Sequence, residues 1–147
     1  MLKNGKTLIL ISGEAGYLIN IFLNIKINLK PKFFPPKDPH ISGKYTIAAN
    51  LLGIKLLFGH ELLKQIWSEE KDISDEKNIE TASKILNLNF KELSDLAKSE
   101  KVSKVYQDNT EEAVTKNVFG SPTYIYNNEL FWGQDRLDFL ERALNKS

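Results

Sequence analysis

Residues 117–144 read NVFGSPTYIYNNELFWGQDRLDFLERAL, and this stretch decides the fold of the C-terminal part of the chain. Positions 123–126 are aromatic and β-branched, a composition that favours a pleated, half-buried surface. Asn127 and Asn128 tolerate positive φ, so they predict the tight primed turn of a hairpin. The second strand of this hairpin is predicted at 130–132.

Helix boundaries are predicted on both sides of the hairpin. Gly120 is expected to end the preceding helix, because glycine readily takes the left-handed conformation of a helix stop. Pro122 cannot donate to a sheet ladder, so it is expected to begin the first strand. Asp135 is expected to cap the last helix, since its carboxylate can accept amide protons of the first turn. The apolar face of that helix consists of Leu137, Leu140, Ala143 and Leu144.

The composition is typical of a globular domain and excludes several kinds of function. Hydrophobic residues make up 41% of the 147 positions and the net charge is +1, so no basic field favours nucleic acid. Cysteine is absent. Dithiol–disulfide exchange is therefore excluded, because the thiolate is its nucleophile. Only two histidines, His40 and His60, are present and neither lies in a ligand motif, so we expect no metal site.

Residues 1–29 form an atypical N-terminal segment. The apolar run at 8–11 is compatible with a strand or with a weak signal peptide, but Glu14 follows closely and no small-residue cleavage site is found. The apolar run at 17–25 contains two asparagines and is too short for a bilayer, which takes about 20 residues. We therefore expect no membrane contact and a cytoplasmic protein.

Residues 30–147 are predicted to form one domain. It comprises a helical block at 42–116 and a C-terminal strand–hairpin–helix region at 117–147. The preceding stretch, 30–43, contains four prolines, which restrict it to extended conformations.

Local signals predict the helices of the block. Ser74 is expected to be the N-cap of one helix. Asn89 with Glu92 three positions later forms a variant of the capping box for the next. The apolar faces of the first two helices are predicted to contain Tyr45, Ile47, Ala48, Leu51 and Leu52, and then Leu56, Leu57, Leu62, Leu63, Ile66 and Trp67.

The motif VFGSPT at 118–123, joined to ELFWGQDR at 129–136, resembles the end of the 2-hydroxychromene-2-carboxylate isomerase family. The resemblance extends over about residues 27–144 and includes FFPP at 33–36 and NTEEA at 109–113. It implies an α/β fold that is thioredoxin-like, of the DsbA and kappa-class glutathione transferase type, with a large helical insertion. The family's N-terminal strand and its serine motif, such as Phe-Asp-Phe-x-Ser-Pro-Tyr, are not found, so the N-terminal part of the core is expected to be missing or altered.

The resemblance also implies glutathione as the cofactor, with Ser121, Pro122, Gln134 and Asp135 as its binding residues. In thioredoxin-like proteins the proline that matches Pro122 is cis, and the turn exposes the backbone of the preceding residue to an extended peptide. In kappa-class relatives the residues that match Gln134 and Asp135 hold the γ-glutamyl end of glutathione. A merely structural proline and a plain helix cap are the alternatives. The catalytic residue is left unassigned.

The function implied by the resemblance is a glutathione-dependent isomerase acting on a small aromatic or cyclic acid. Its partners would be this substrate and glutathione, and a homodimer is a possible assembly. A non-catalytic or truncated thioredoxin-like binding module is an alternative, whose exposed sheet edge would promote association. A glutathione transferase-like activity is a further alternative. Specific binding of glutathione distinguishes the enzymes from the module.

Overall fold

The computed structural model describes residues 26–28, 30–54 and 56–146. The predictions for residues 1–25, including the altered N-terminal part of the core, lie outside this described part. Within it, a group of helices is followed by a β-hairpin and a closing helix. The elements are α1 (Pro39–Leu51), α2 (Leu56–Glu69), α3 (Glu76–Ile85), α4 (Phe90–Ala97), α5 (Glu100–Thr115), β1 (Thr123–Tyr126), β2 (Glu129–Trp132), a 3-10 turn (Gln134–Arg136) and α6 (Leu137–Asn145).

Helices α1 to α5 surround one hydrophobic core, so the helical character predicted for 42–116 is confirmed. Residues 26–28 lie against the end of α2, where the Asn28 N–H donates to the Trp67 carbonyl over 2.6 Å. Burying a large apolar side chain contributes roughly 1.5–3 kcal/mol, and this core has many. Its buried residues are Tyr45, Ala48, Ala49, Phe58, Leu62, Ile66, Trp67, Ile73, Ile79, Ala82, Leu93, Ala97 and Val102.

The predicted apolar faces of α1 and α2 are partly wrong. Leu51 is 45% exposed, and Leu56 and Leu57 are 59% and 61% exposed, whereas Phe58 is fully buried. Phe58 defines the core-facing side of α2, and each residue turns the helix by about 100°. The two leucines before Phe58 therefore point away from the core. Leu51 lies at the end of its helix.

Two predicted capping residues in the helical block have different outcomes. Asn89 caps α4 as expected, because its side chain accepts a hydrogen bond from the N–H of Glu92 over 3.2 Å. Ser74 is not the cap of α3. Asp75 accepts from the first turn of that helix, while the Ser74 hydroxyl donates to Asp72 over 2.5 Å. A carboxylate next to the serine competes for the same role and is a better acceptor.

The expected helix stop at Gly120 is also wrong. Helix α5 ends at Thr115, and Asn117, with φ of 56°, takes the left-handed conformation. Asparagine tolerates this region because its short polar side chain can hydrogen-bond locally. Gly120 therefore lies in the connection to β1 and has another role, described below.

The hairpin has the predicted form. Strands β1 and β2 are antiparallel, with Thr123 opposite Trp132. Asn127 and Asn128 have φ of 49° and 65°, as a primed turn requires. Strand alternation buries Phe131 to 5% exposure and leaves Trp132 at 52%. The two aromatic side chains thus lie on opposite faces of the hairpin, as expected.

Helix α6 begins later than predicted. Asp135 lies within the 3-10 turn, and neither this turn nor α6 has a side-chain cap. The Gly133 carbonyl accepts the N–H of Arg136 over 3.3 Å, and the Asp135 Oδ1 lies against Gly133 and makes no capping hydrogen bond to the first turn of α6. The capping role predicted for Asp135 is therefore wrong. Leu140, Ala143 and Leu144 are half-buried, but Leu137 is exposed.

Candidate functional site

The site begins with a backbone hydrogen bond at the end of the hairpin. The N–H of Gly133 donates to the carbonyl oxygen of Pro122 over 2.8 Å. This bond lies one residue beyond the pairing of Thr123 with Trp132, so it continues the strand ladder. Pro122 is buried, and the Ser121–Pro122 peptide bond is cis.

Ser121 is held at this end of the hairpin without using its own polar groups. It is half-buried, and within the described residues neither its backbone nor its hydroxyl has a hydrogen-bond partner. The neighbouring carbonyl of Gly120 is occupied, because it accepts from the Thr123 hydroxyl over 2.5 Å. Ser121 therefore retains one backbone donor and one backbone acceptor for a ligand.

Gly120 allows Trp132 to pack directly on the backbone. A Cβ at position 120 would clash with the indole Nε1 of Trp132, so only glycine fits without movement. Phe119 is 71% exposed, and its ring centroid lies 5.1 Å from that of Trp132. The sequence interpretation missed this aromatic pair. The spacing of Phe119 before the Gly-x-Pro motif was its only signal.

Asp135 projects from the adjacent 3-10 turn. Its Oδ1 lies against Gly133, where a Cβ would collide with it, and Gly133 has φ of 99°. Only glycine takes this backbone conformation at low cost. The Asp135 side chain is 73% exposed and lies 3.8 Å from the Nε of Arg136. An exposed ion pair of this kind contributes little to stability. The carboxylate is therefore both exposed and only weakly paired, and a ligand cation can reach it.

The other polar residues of the turn are oriented differently. Gln134 is half-buried and has no hydrogen-bond partner in the described part of the chain. The Arg136 guanidinium lies 5.4 Å from the ring centroid of Phe139, and that of Arg142 lies 5.5 Å from it. Arg136 therefore packs on an exposed ring of α6.

The described residues contain no group of three or more His, Cys, Asp or Glu side chains that could hold a metal ion. The same residues form no helix of the length and hydropathy needed to cross a membrane.

The four residues predicted to bind glutathione meet at one place. Ser121 and Pro122 enter the hairpin, Gln134 and Asp135 leave it, and the bond between Pro122 and Gly133 joins the two segments.

Comparison with known proteins assigns the fold. The DSBA-like thioredoxin domain family matches residues 44–145, and the chain belongs to this family. A solved structure of 2-hydroxychromene-2-carboxylate isomerase superposes with a TM-score of 0.64 at 19% sequence identity, covering 88% of this chain and 62% of that one. The thioredoxin-like fold inferred from the resemblance is thereby confirmed, as a helix-rich version with a small two-stranded sheet in the described part.

Two curated relatives are similar in sequence. The 2-hydroxychromene-2-carboxylate isomerase of Sphingobium xenophagum is 30% identical over 80 residues, which are 54% of this chain and 41% of the relative. The enzyme of the same name from Pseudomonas sp. (strain C18) is 38% identical over 50 residues, 34% of this chain and 24% of the relative. The chain thus matches less than half the length of either relative.

Proposed function

We propose that this chain binds glutathione at the hairpin end and takes part in an isomerisation of the 2-hydroxychromene-2-carboxylate type. The names of the relatives support the reaction class. The observation that carries the binding proposal is the hydrogen bond between Gly133 and Pro122. It holds the Ser121 backbone, which has no hydrogen-bond partner among the described residues, beside the turn that contains Gln134 and Asp135.

The described residues fit an extended peptide with a free ammonium group. The N–H and C=O of Ser121 are available to pair with a peptide backbone, as in the addition of a strand to a sheet edge. The exposed carboxylate of Asp135 is suited to an ammonium group, and the amide of Gln134 can donate to a carboxylate. The γ-glutamyl end of glutathione carries both of these groups on one carbon atom.

Glutathione, when bound, supplies the thiol that this cysteine-free chain lacks. The role of the chain's own residues in this proposal is binding and orientation. Ser121 sets the direction of the peptide, and Asp135 holds its amino-terminal end. Since Asp135 and Arg136 are separated by 3.8 Å and both are exposed, a ligand ammonium can approach the carboxylate without breaking a strong ion pair. No catalytic residue is assigned.

A non-catalytic binding module is the second candidate, and a specific observation favours it. Phe119 and Trp132 are 71% and 52% exposed beside the proposed site, and exposed aromatic pairs are common at protein interfaces. In the described part, the sheet also has only two strands of four residues each, and such a hairpin is marginal alone. This module would bind a further polypeptide chain at the hairpin.

A glutathione transferase reaction is the remaining alternative. It would use the glutathione site proposed at Ser121, Gln134 and Asp135.

Isothermal titration with glutathione tests the proposal. Saturable binding is expected, with affinity about tenfold lower in Asp135→Ala, as for one lost charged hydrogen bond. Glu141→Ala removes an exposed charge from α6 and is the matched control, which should bind normally. N-acetylglutathione lacks the ammonium group, so it should bind weakly. Its affinity should be the same for Asp135→Ala and for the unchanged protein. A folded protein that does not bind glutathione would overturn the proposal.

Conversion of a 2-hydroxychromene-2-carboxylate in the presence of glutathione tests the reaction separately. Turnover that requires glutathione and falls in Asp135→Ala is the expected result. Glutathione binding without turnover would remove the isomerase part and leave the binding site. Conjugation of an electrophile instead of isomerisation would favour the transferase alternative.

A further inference from the structure

A concave surface lies within the helical block. A cavity of about 290 Å³ opens between α1, α3 and the end of α4. None of the residues that line it belongs to the hairpin or to α6. Its volume is close to the lower limit of small-molecule sites, roughly 300–1,000 Å³. The lining residues are Ile41, Lys44, Tyr45, Glu76, Ala97 and Lys98.

A polar network forms one wall of the cavity. The Tyr45 side chain is buried, and its hydroxyl donates to Glu76 Oε1 over 2.9 Å. The Tyr45 oxygen lies 3.0 Å from the Ser94 hydroxyl. Since the single tyrosine proton is used on Glu76, Ser94 must be the donor. Lys98 Nζ lies 2.6 Å from the same Glu76 oxygen.

The charge states of this network follow from its contacts. The hydrogen bond from Lys98, and then that from Tyr45, hold the pKa of the Glu76 carboxyl below its usual value. Burial raises the pKa of the Tyr45 hydroxyl. At neutral pH the wall therefore contains an ionised Glu76 that is matched by Lys98, together with a neutral tyrosine.

Within the part of the chain that the structure describes, Lys44 gives the cavity one positive charge without an acidic partner. It lines the cavity from α1, one residue before Tyr45, and has no ion pair among the described residues. Asp95 also lies near Lys98, but its carboxylate pairs with Lys91 over 2.6 Å. A ligand that complements the charge of this surface would therefore carry a single negative charge. The remaining surface of Ile41, Ala97 and the tyrosine ring is apolar.

We propose that this cavity binds a small organic monocarboxylate with an apolar body, whose carboxylate pairs with Lys44. The apolar body lies against Ile41 and Ala97. The volume of about 290 Å³ matches a small ligand. Because Lys98 already neutralises Glu76, the one remaining positive charge, that of Lys44, is matched by a monoanion and not by a dianion such as phosphate. The site is separate from the hairpin and does not depend on glutathione binding.

Titration of the ¹⁵N-labelled protein with sodium benzoate, followed by NMR, tests this proposal. Saturable shifts are expected at the amides of residues 41–45 and 97–98. Benzyl alcohol has the same ring without the charge, and acetate has the charge without the ring. Each should bind at least about tenfold more weakly than benzoate. Benzyl alcohol loses the ion pair with Lys44, and acetate loses the apolar contact with Ile41 and Ala97.

Variants locate the site and separate binding from a purely structural role of the network. Lys44→Gln removes the unpaired charge and should weaken benzoate about tenfold without changing the melting temperature. Lys101→Gln removes an exposed charge of α5 that does not line the cavity and should have no effect. Equal benzoate affinity in Lys44→Gln and the unchanged protein, or no saturable shift at these amides, would overturn the proposal.

Discussion

The amide of Gly133 and the carbonyl of Pro122 are joined by a 2.8 Å hydrogen bond that closes the open end of the hairpin. Three properties of the region depend on this bond. It extends the ladder of β1 and β2, it sets the segment of Ser121 beside that of Gln134, and it places the Asp135 carboxylate over a glycine. A change at Gly133 should therefore affect stability and the proposed ligand site together.

Gly133→Ala is expected to destabilise the hairpin and weaken glutathione binding. An alanine Cβ would meet Asp135 Oδ1 at a backbone φ of 99°, and both the conformation and the clash oppose it. The conformational cost alone is roughly 1–3 kcal/mol. Gly53→Ala is a matched control, because Gly53 has φ of 89° and no atom of the described residues lies within 4 Å of the position that a Cβ would take there. Urea unfolding should show a larger loss for Gly133→Ala. If the two variants lose equal amounts of stability, the contact with Asp135 does not contribute to the requirement for glycine at position 133.

Gly120→Ala is expected to displace the Trp132 indole, since a Cβ at position 120 would overlap Nε1. Local rearrangement of this kind costs roughly 1–3 kcal/mol. A double-mutant cycle with Trp132→Ala measures the coupling of the two sites. The cost of Gly120→Ala should largely disappear when the indole is absent. An unchanged cost in the Trp132→Ala background would show that the backbone, and not the indole, requires glycine.

Glu76→Gln tests the pH dependence of the helical block. The pKa of Glu76 is lowered in the folded state by hydrogen bonds from Lys98 and Tyr45. Its contribution to stability is therefore present above the ordinary pKa of 4.5 and is lost as the pH falls through the lower folded-state pKa. The melting temperature of the unchanged protein should exceed that of Glu76→Gln at neutral pH. This difference should shrink on acidification, and a difference that grows at low pH would contradict the assignment.

Gln65→Leu is expected to stabilise the protein. Gln65 is fully buried in α2, and neither its Nε2 nor its Oε1 has a hydrogen-bond partner in the described structure. An unsatisfied buried group costs roughly 1–3 kcal/mol, and an apolar replacement of similar size removes that cost. Gln65→Asn keeps the amide and leaves a void, so it should lower stability. Guanidinium unfolding gives both values, and a less stable Gln65→Leu would indicate an additional polar partner.

Phe119→Ser tests the binding-module alternative. If the exposed pair of Phe119 and Trp132 mediates association, sedimentation velocity should show less self-association in this variant. Val114→Ser is the matched control, because Val114 is 72% exposed on α5 and lies outside the hairpin. Both substitutions are at exposed positions and should change the free energy of unfolding by about 0.5 kcal/mol or less. Equal association in all three proteins would remove the hairpin as an interaction surface.

Local rules were sufficient where neighbouring residues alone set the structure. The positive φ of Asn127 and Asn128 and the opposite faces of Phe131 and Trp132 follow from turn chemistry and strand alternation, which involve few residues. The cap of α4 at Asn89 is equally local. The same motifs supplied the resemblance from which the thioredoxin-like fold was inferred.

The tertiary structure decided the features that depend on packing and on backbone competition. Asp135 does not take its predicted capping role, since its Oδ1 lies against Gly133, and Gly120 serves the approach of an indole 12 positions away. The pairing of Tyr45 with Glu76 and Ser94 joins three helices. Sequence periodicity states which face of a helix is apolar, but it contains no information on which distant group will meet that face. The sequence thus determined the hairpin and the helix types, and the packing determined which polar groups remain available to a ligand.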